Sequence, residues 1–262
     1  MIVLYPNADS DKPMVHVTAD IAETAGSMIA RAIAETILRH GRCRLALSGG
    51  PAVRGVCNYL RQHLAASVYP NLWITFTDER RLPVTDTTPG NWQAFDPASN
   101  LYMACDAWLA HVPTTADRVA PMDLGGPLET EIVRFGRQFQ RTFEGDLDVA
   151  VLSMGHDGSI GALLPDHPAL QVEDVCLGVH DCPEPPAQRL GLALTPLRKA
   201  SYLFVLASGL DKADALLRAW HGDQALPLAH LHGDGDVHWI ADGAAGQALA
   251  RAELDGMRGV VV

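Results

Sequence analysis

A glycine-rich turn, residues 155–159, carries the side chains best suited to chemistry in this chain. Its imidazole, His156, and its carboxylate, Asp157, are groups that accept and donate protons in catalysis. The turn follows an apolar run, residues 147–152, which is typical of a strand buried on both faces of a parallel sheet. Ligands of open α/β sheets bind at the carboxyl ends of strands, so residues 155–165 are predicted to line an active site.

The run Ser48-Gly49-Gly50 has the composition of an anion-binding loop. It lies between a short apolar strand, residues 43–47, and a predicted helix, residues 53–64. Glycines let the backbone approach a ligand closely, and the free amides at the start of a helix favour an anion such as phosphate. A tight strand-to-helix turn without a ligand is the alternative that these residues leave open.

Four consecutive charged residues, Asp78 to Arg81, follow the next predicted strand, residues 72–77. Carboxylates beside arginines keep low pKa values and stay ionised, so they are suited to orienting a substrate or accepting a proton. The pattern favours a functional site over a solvated turn, which stays the alternative. The next segment, residues 84–100, reads as a loop that could cover a site or merely connect elements.

A second unit of strand, glycine turn and helix occupies residues 202–221. Here the run from Ser208 to Lys212 joins the predicted strand, residues 202–207, to the predicted helix, residues 213–221. A lysine in the first turn opposes the helix dipole, which favours a functional role for Lys212. A solvated lysine beside Asp211 is the alternative.

Composition limits the possible classes of protein. The 262 residues suffice for one large α/β domain or two small ones. The formal net charge of -11 argues against a general nucleic-acid or anionic-membrane surface, because such surfaces bind through lysine and arginine. With neither a signal peptide nor an apolar run of about 18 residues evident, a cytoplasmic protein is expected. The cysteines, an odd number without a CxxC pair, are predicted to be buried thiols: Cys43, Cys57, Cys105, Cys176 and Cys182.

Periodicity predicts the remaining elements. A strand is expected at residues 15–19, and another at residues 189–195. The segment 166–186 reads as irregular, with its histidines in a surface loop rather than a metal site. A hairpin turn is expected at residues 233–236, within a segment whose histidines are likewise not favoured as metal ligands. The predicted helices are residues 21–40, 101–109, 129–143 and 242–254.

Taken together, these segments resemble the 6-phosphogluconolactonase family, within the glucosamine-6-phosphate isomerase/6-phosphogluconolactonase superfamily. The resemblance implies a single α/β domain over residues 1–262. Its fold would be Rossmann-like and of the sugar-phosphate isomerase type, with a mainly parallel central sheet flanked by helices on both faces. The landmarks span nearly the whole chain in family order: Ser48-Gly-Gly50, Thr77-Asp-Glu-Arg80, Ser99-Asn100, residues 148–165, residues 189–195, and Ser208 to Ala213.

The resemblance also implies a reaction, the hydrolysis of 6-phospho-D-glucono-1,5-lactone to 6-phosphogluconate in the pentose phosphate pathway, without cofactor or metal. The run Gly161-Ala-Leu-Leu-Pro165 is similar to the lactonases, whereas the deaminases carry an aromatic residue, Asn and Glu there. The implied partner is a small sugar phosphate, with no nucleic acid and no membrane, for a monomer or homodimer. The residues it assigns to substrate binding are Ser48, Gly49, Gly50, Arg80, Gly155, Gly158, Arg189 and Lys212.

Two segments depart from the family pattern. Ser159 stands where the family usually carries the histidine of Asp-Gly-His that is taken to activate water. In the glycine loop, Pro51 and Ala52 stand where the family usually carries Ser and Thr, which removes two hydroxyl donors and, at Pro51, one amide donor. The catalytic candidates are therefore His156, Asp157 and Asp78, with Ser159 at the altered position. The alternatives are a weak or inactive family member that binds a sugar phosphate, or a hydrolase or isomerase of a related sugar phosphate.

Overall fold

A seven-stranded, mainly parallel sheet forms the centre of the computed structural model, which describes residues 1–4, 13–92, 95–233 and 235–255. At one edge, the first two strands pair antiparallel. The other neighbouring strands of this sheet pair in parallel. The spatial order is β1 (Ile2–Leu4), β2 (Met14–Thr18), β10 (Asp236–Asp242), β9 (Tyr202–Ala207), β6 (Val149–Ser153), β3 (Cys43–Leu47) and β4 (Leu72–Phe76).

Helices cover both faces of this sheet. Adjacent side chains of a strand point to opposite faces, as His238 and Trp239 of β10 do. On one face, Trp239 packs edge-on against Trp220, with 6.1 Å between ring centroids. On the other face, Tyr202 donates a hydrogen bond of 3.1 Å to Glu35. The helices are α1 (Ile21–His40), α2 (Pro51–His63), α3 (Asn100–Ala107), α4 (Leu128–Phe143), α5 (Leu194–Arg198), α6 (Ala213–Trp220) and α7 (Gly243–Asp255).

The bounds of α1 agree with the sequence prediction because both ends carry strong signals. The side chain of Asp20 accepts a hydrogen bond of 2.9 Å from the amide of Glu23 and so caps the first turn. Gly41 ends the helix with φ of 75°, a left-handed conformation that glycine adopts without strain. The aromatic side chains of α4 are fully buried: Phe135, Phe139 and Phe143.

A second, antiparallel sheet of three strands lies beside the first. Its order is β5 (Asp78–Arg80), β8 (Arg189–Leu192) and β7 (Cys176–Val179). The prediction that residues 166–186 are irregular is therefore wrong for β7, which is a short apolar run between stretches rich in acids and prolines. The strand predicted at residues 189–195 ends at Leu192, because α5 begins at Leu194. Pairing with β8 fixes the backbone of β5.

The hairpin predicted at residues 233–236 is wrong. Residues 227–230 form a 3₁₀ turn, and the chain then enters β10. Because β10 pairs with β2 on one side and β9 on the other, neither of its edges is open to a hairpin partner. Asp234, within this segment, and residues 93–94 of the predicted loop 84–100 lie outside the described residues. The expectation about the cysteines is confirmed, since all five are buried free thiols.

Candidate active site

A cleft of about 380 Å³ opens at the carboxyl ends of β3, β6 and β9. It lies at the point where the strand order reverses, since β3 has β4 on one side and β6 on the other. Clefts at such switch points are where open α/β sheets bind their ligands. The cleft brings together most of the residues that the sequence proposed: the loop 48–50, Asp78, Arg80, Gly155, His156, Ser159 and Lys212.

The Ser48 loop joins the two strands on either side of the switch point. The hydroxyl of Ser48 accepts a hydrogen bond of 2.8 Å from the amide of Ser153, at the end of β6. Gly50 has φ of 99°, which favours glycine, and α2 starts at Pro51. Within the described residues, no side chain caps this helix, and its first turn carries no acid. The remaining amides of the first turn are therefore available to an anion.

The segment from Asp78 to Arg81 is not a solvated turn. Asp78 is 9% exposed and Glu79 is 4% exposed. The hydroxyl of Thr77 donates to Asp78 Oδ1 at 3.0 Å. Burial raises the pKa of Asp78, and this effect exceeds the attraction of Arg80 and Arg189. The expectation that neighbouring arginines keep this pKa low is therefore corrected, because desolvation of the carboxylate is the larger effect.

Asn100 joins the strand β5 to the cleft, although the sequence identified it only as a family landmark. Its Oδ1 accepts a hydrogen bond of 3.1 Å from Arg80 Nη1. Its Nδ2 donates one of 2.7 Å to the carbonyl oxygen of Asp78. Asn100 is 1% exposed, and it lines the cleft from the first turn of α3. The pair Ser99-Asn100, a helix cap followed by an amide side chain, was the available signal.

The turn after β6 is a tight reversal in which Met154 pairs with Ile160. The amide of Gly155 donates to the carbonyl oxygen of Ser159 at 2.7 Å. A Cβ at Gly155 would lie 2.3 Å from Ser159 Oγ, so this hydroxyl occupies the space beside the glycine. Asp157 Oδ1 accepts a hydrogen bond of 2.9 Å from the amide of Ser159. Ser159 therefore takes part in the turn through its amide, carbonyl and hydroxyl groups.

The predicted residues of this turn differ in where they lie. Gly158 has φ of 87° and packs towards Leu226, away from the cleft lining. Asp157 is likewise outside the described lining of the cleft, and its carboxylate stabilises the turn. His156 lines the cleft with 61% of its side chain exposed, and its Nδ1 lies 3.8 Å from Glu184 Oε1. Of the two proton-transfer groups in the turn, only the imidazole thus faces the cleft.

Arg189 lies behind the cleft rather than among the described residues that line it. It is 6% exposed, and its guanidinium donates to carbonyl oxygens of the preceding loop. The contacts are 3.1 Å to Glu184 and 3.3 Å to Gln188, together with a short one to Pro186. Because Glu184 lines the cleft, Arg189 shapes the cleft wall through the loop that carries this acid.

Lys212 lies on the wall of the cleft and beside Asp211. Its Nζ lies 2.5 Å from Asp211 Oδ2, and its side chain is 21% exposed on the cleft wall. The loop before it is held by Asp242, at the end of β10. Asp242 Oδ2 accepts hydrogen bonds of 2.7 Å from Ser208 Oγ and 2.9 Å from the amide of Gly209. Sequence analysis missed Asp242, whose signal was an acid at the end of an apolar run.

The histidines of the predicted surface loop do pair with acids at the surface. His167 Nε2 lies 3.1 Å from Asp181, and His180 Nε2 lies 3.5 Å from Glu129. Among the described residues, no three histidine, cysteine or acidic side chains are grouped to hold a metal ion. Nor is any helix in the described part of the chain long and apolar enough to cross a membrane.

The fold and the cleft define an open α/β protein whose ligand site lies at the carboxyl ends of its parallel strands. The chain belongs to the family of glucosamine-6-phosphate isomerases and 6-phosphogluconolactonases, whose model matches residues 17–239. This confirms the resemblance seen in the sequence, and the predicted class of fold is confirmed as well.

Individual relatives agree with this assignment. The 6-phosphogluconolactonase of Streptomyces coelicolor is 28% identical to this chain, with 93% of this chain and 97% of that protein covered. That of Rattus norvegicus is 31% identical, with coverage of 80% and 82%. The structure of 6-phosphogluconolactonase from Trypanosoma cruzi gives a TM-score of 0.77 at 19% identity, covering 93% of this chain and 99% of that one. At that identity the structural likeness supports the fold alone.

Proposed function

We propose that this chain hydrolyses 6-phospho-D-glucono-1,5-lactone to 6-phosphogluconate, a reaction of the pentose phosphate pathway. The observation that carries the proposal is the convergence of a glycine loop, two cationic side chains and an imidazole in one cleft. The family of the chain and the named relatives that cover most of its length support the same reaction.

The phosphate group is proposed to lie between the loop 48–50 and the cations Arg80 and Lys212. Arg80 is fixed through Nη1, which donates to the carbonyl oxygen of Ala98 at 3.0 Å and to Asn100 Oδ1 at 3.1 Å. Its other guanidinium nitrogens can then face the ligand, and a planar guanidinium binds phosphate in a bidentate manner. Lys212 supplies a second positive charge from the start of α6.

The proposed chemistry is the attack of water on the lactone carbonyl. The water oxygen bonds to C1, the bond between C1 and the ring oxygen breaks, and the ring oxygen takes up a proton. His156 is the proposed base, because its imidazole lines the cleft and an imidazole accepts protons in general base catalysis. With Nδ1 towards Glu184, Nε2 is left for the attacking water. Asp78 and Asp157 act in support, as a buried carboxylate beside the cleft and as the acceptor that holds the turn.

A second candidate function is sugar-phosphate binding without turnover, which Ser159 favours. A neutral serine does not deprotonate water near pH 7, and the loss of a general base costs a factor on the order of 10² to 10⁴ in rate. On this hypothesis, the cleft keeps its phosphate-binding groups while the position of the usual histidine has lost its chemistry.

Initial rates of 6-phosphogluconolactone hydrolysis above the spontaneous background test both hypotheses. The variants are His156→Ala and Ser159→His, with His180→Ala as the control because it removes an exposed histidine that lies outside the described cleft lining. Wild-type activity that is lost in His156→Ala alone supports the lactonase with His156 as base. An inactive wild type that gains activity in Ser159→His supports the binding protein. A wild type that is inactive and not thermally stabilised by 6-phosphogluconate contradicts both.

We further propose a cytoplasmic protein of one domain over residues 1–262 that acts as a monomer or homodimer. The buried free thiols support a reducing compartment. The proposed ligand is a small sugar phosphate, and the net charge of -11 argues against nucleic acid or an anionic membrane as partner. Light scattering after size-exclusion chromatography measures the oligomeric state, and a single cooperative unfolding transition is expected for one domain.

A further inference from the structure

Glu79 is a buried acid next to the cleft. Within the described residues, the hydrogen bonds of its carboxylate all come from backbone amides. Oε1 accepts from the amides of Arg80 at 2.9 Å and Asn100 at 2.8 Å, and Oε2 accepts from the amide of Leu101 at 3.0 Å. Asn100 and Leu101 are the first two residues of α3. Glu79 therefore ties the start of this helix to the strand β5.

The capping of α3 is divided between two side chains. Ser99 accepts from the amide of Tyr102 at 2.9 Å, and Glu79 accepts from the two amides before it. Burying a carboxylate costs stability, and burial raises the pKa of Glu79 to about 7. Because Glu79 belongs to β5, its carboxylate fixes the first residue of α3 directly to the strand that carries Arg80.

That residue is Asn100, where three parts of the cleft meet. Its side chain bonds Arg80 Nη1 and the carbonyl oxygen of Asp78. Its Oδ1 also lies so close to Gly49 that a Cβ there would be 2.0 Å away. Any shift of the first turn of α3 thus changes the distance between the guanidinium of Arg80 and the glycine loop.

We propose that Glu79 is a positioning residue for phosphate recognition, which acts through Asn100 to hold Arg80 against the loop 48–50. The proposal rests on the proposed function, in which Arg80 and this loop bind the phosphate of the substrate. Glutamine at position 79 keeps the size of the side chain but has one acceptor oxygen instead of two, so one of the amides at the start of α3 loses its acceptor.

The test is a double-mutant cycle on the affinity for 6-phosphogluconate, measured by titration calorimetry with Glu79→Gln, Arg80→Gln and the double variant. Glu79→Gln is expected to weaken binding about tenfold, the effect of one hydrogen bond to a charged group. In the Arg80→Gln background, the same change is expected to have no further effect, because Glu79 acts through Arg80.

The matched control is Glu131→Gln. Glu131 is also 4% exposed, accepts from the amide of Leu124 at 2.9 Å and lies outside the described cleft lining. Glu131→Gln is expected to lower the melting temperature of the protein while leaving its affinity for 6-phosphogluconate unchanged. If Glu79→Gln does not fold, Asn100→Ala replaces that variant in the cycle. Asn100→Ala removes the hydrogen bond to Arg80 and keeps the contacts of Glu79 with the backbone.

Unchanged affinity in Glu79→Gln, or an equal loss with and without Arg80, overturns the positioning role while wild-type binding leaves the proposed function standing. A wild type that does not bind 6-phosphogluconate overturns the proposed function itself, and the positioning role with it. The two failures are therefore distinguished by the wild type alone.

Discussion

Substitution of Gly49 by alanine tests whether the cleft is limited by space at the glycine loop. A Cβ at this position would lie 2.0 Å from Asn100 Oδ1 and 2.8 Å from its Cγ. Real Cβ atoms essentially never approach another atom within 3.0 Å, so the amide of Asn100 has to move by about 1 Å. Asn100 is 1% exposed, so it has little room for such a movement.

The movement breaks the hydrogen bonds that Asn100 makes. Losing the bond of 2.7 Å to the carbonyl oxygen of Asp78 leaves buried polar groups unpaired, which costs about 1–3 kcal/mol. The bond to Arg80 contributes less, because the guanidinium faces the cleft and water can replace Asn100. Alanine recovers about 0.4–1 kcal/mol by restricting the unfolded chain. The expected net loss in the free energy of unfolding is about 1–2 kcal/mol.

Urea denaturation measures this loss of stability. Titration with 6-phosphogluconate measures the accompanying loss of affinity, which is expected to be about tenfold. The control is Gly243→Ala, because a Cβ at Gly243 meets nothing within 4 Å. Gly49→Ala is also expected to add no loss in the background of Asn100→Ala, where the clash is absent. A Gly49→Ala variant as stable as Gly243→Ala, with unchanged affinity, refutes the reasoning.

Three further predictions concern the core. Burial lowers the pKa of His238 from 6.5 to about 4. As the pH drops through this range, the histidine of the unfolded state binds a proton before that of the folded state does. The free energy of unfolding therefore falls by about 3 kcal/mol. Urea unfolding between about pH 7 and about pH 4.5 should show a smaller fall for His238→Asn, and an equal fall contradicts the assignment. Asp148→Asn should lower the free energy of unfolding by about 3–5 kcal/mol in thermal unfolding, because Asp148 accepts hydrogen bonds of 2.7–2.9 Å from the backbone amide and guanidinium of Arg44. A loss below about 1 kcal/mol excludes this role. Burial raises the pKa of Cys57 to about 12, and all five thiols should react with a thiol reagent only after unfolding; rapid labelling of the folded protein would disprove their burial.

Much of the candidate site was predictable because it lies at strand ends. Parallel strands bring their carboxyl ends to one edge, so the segments after β3, β6 and β9 had to meet there. The sequence marked these segments by placing polar or glycine residues directly after apolar runs. The helix α1 was predicted with its observed bounds for a similar reason, since the cap Asp20 and the stop Gly41 are local signals.

The parts that escaped prediction depend on contacts between distant segments. Asn100 reaches the cleft from a helix start, 21 residues after Glu79, whose carboxylate holds it. The small sheet requires β5 to pair with β8, more than a hundred residues later in the chain, and no local pattern specifies that pairing. The raised pKa of Asp78 depends on burial, whereas the sequence displays only the neighbouring charges.

The geometry of Ser48 bears on how this cleft would bind a phosphate. Its hydroxyl accepts from the amide of Ser153 and so serves to join β3 to β6. The family hydroxyls that usually follow the glycines are replaced here, and Pro51 has no amide proton. Binding would therefore depend on the remaining amides of the loop and on the full charges of Arg80 and Lys212. Because attraction between exposed charges is screened by salt, affinity for 6-phosphogluconate should fall as ionic strength rises, and more steeply than in a relative whose loop keeps its hydroxyl donors.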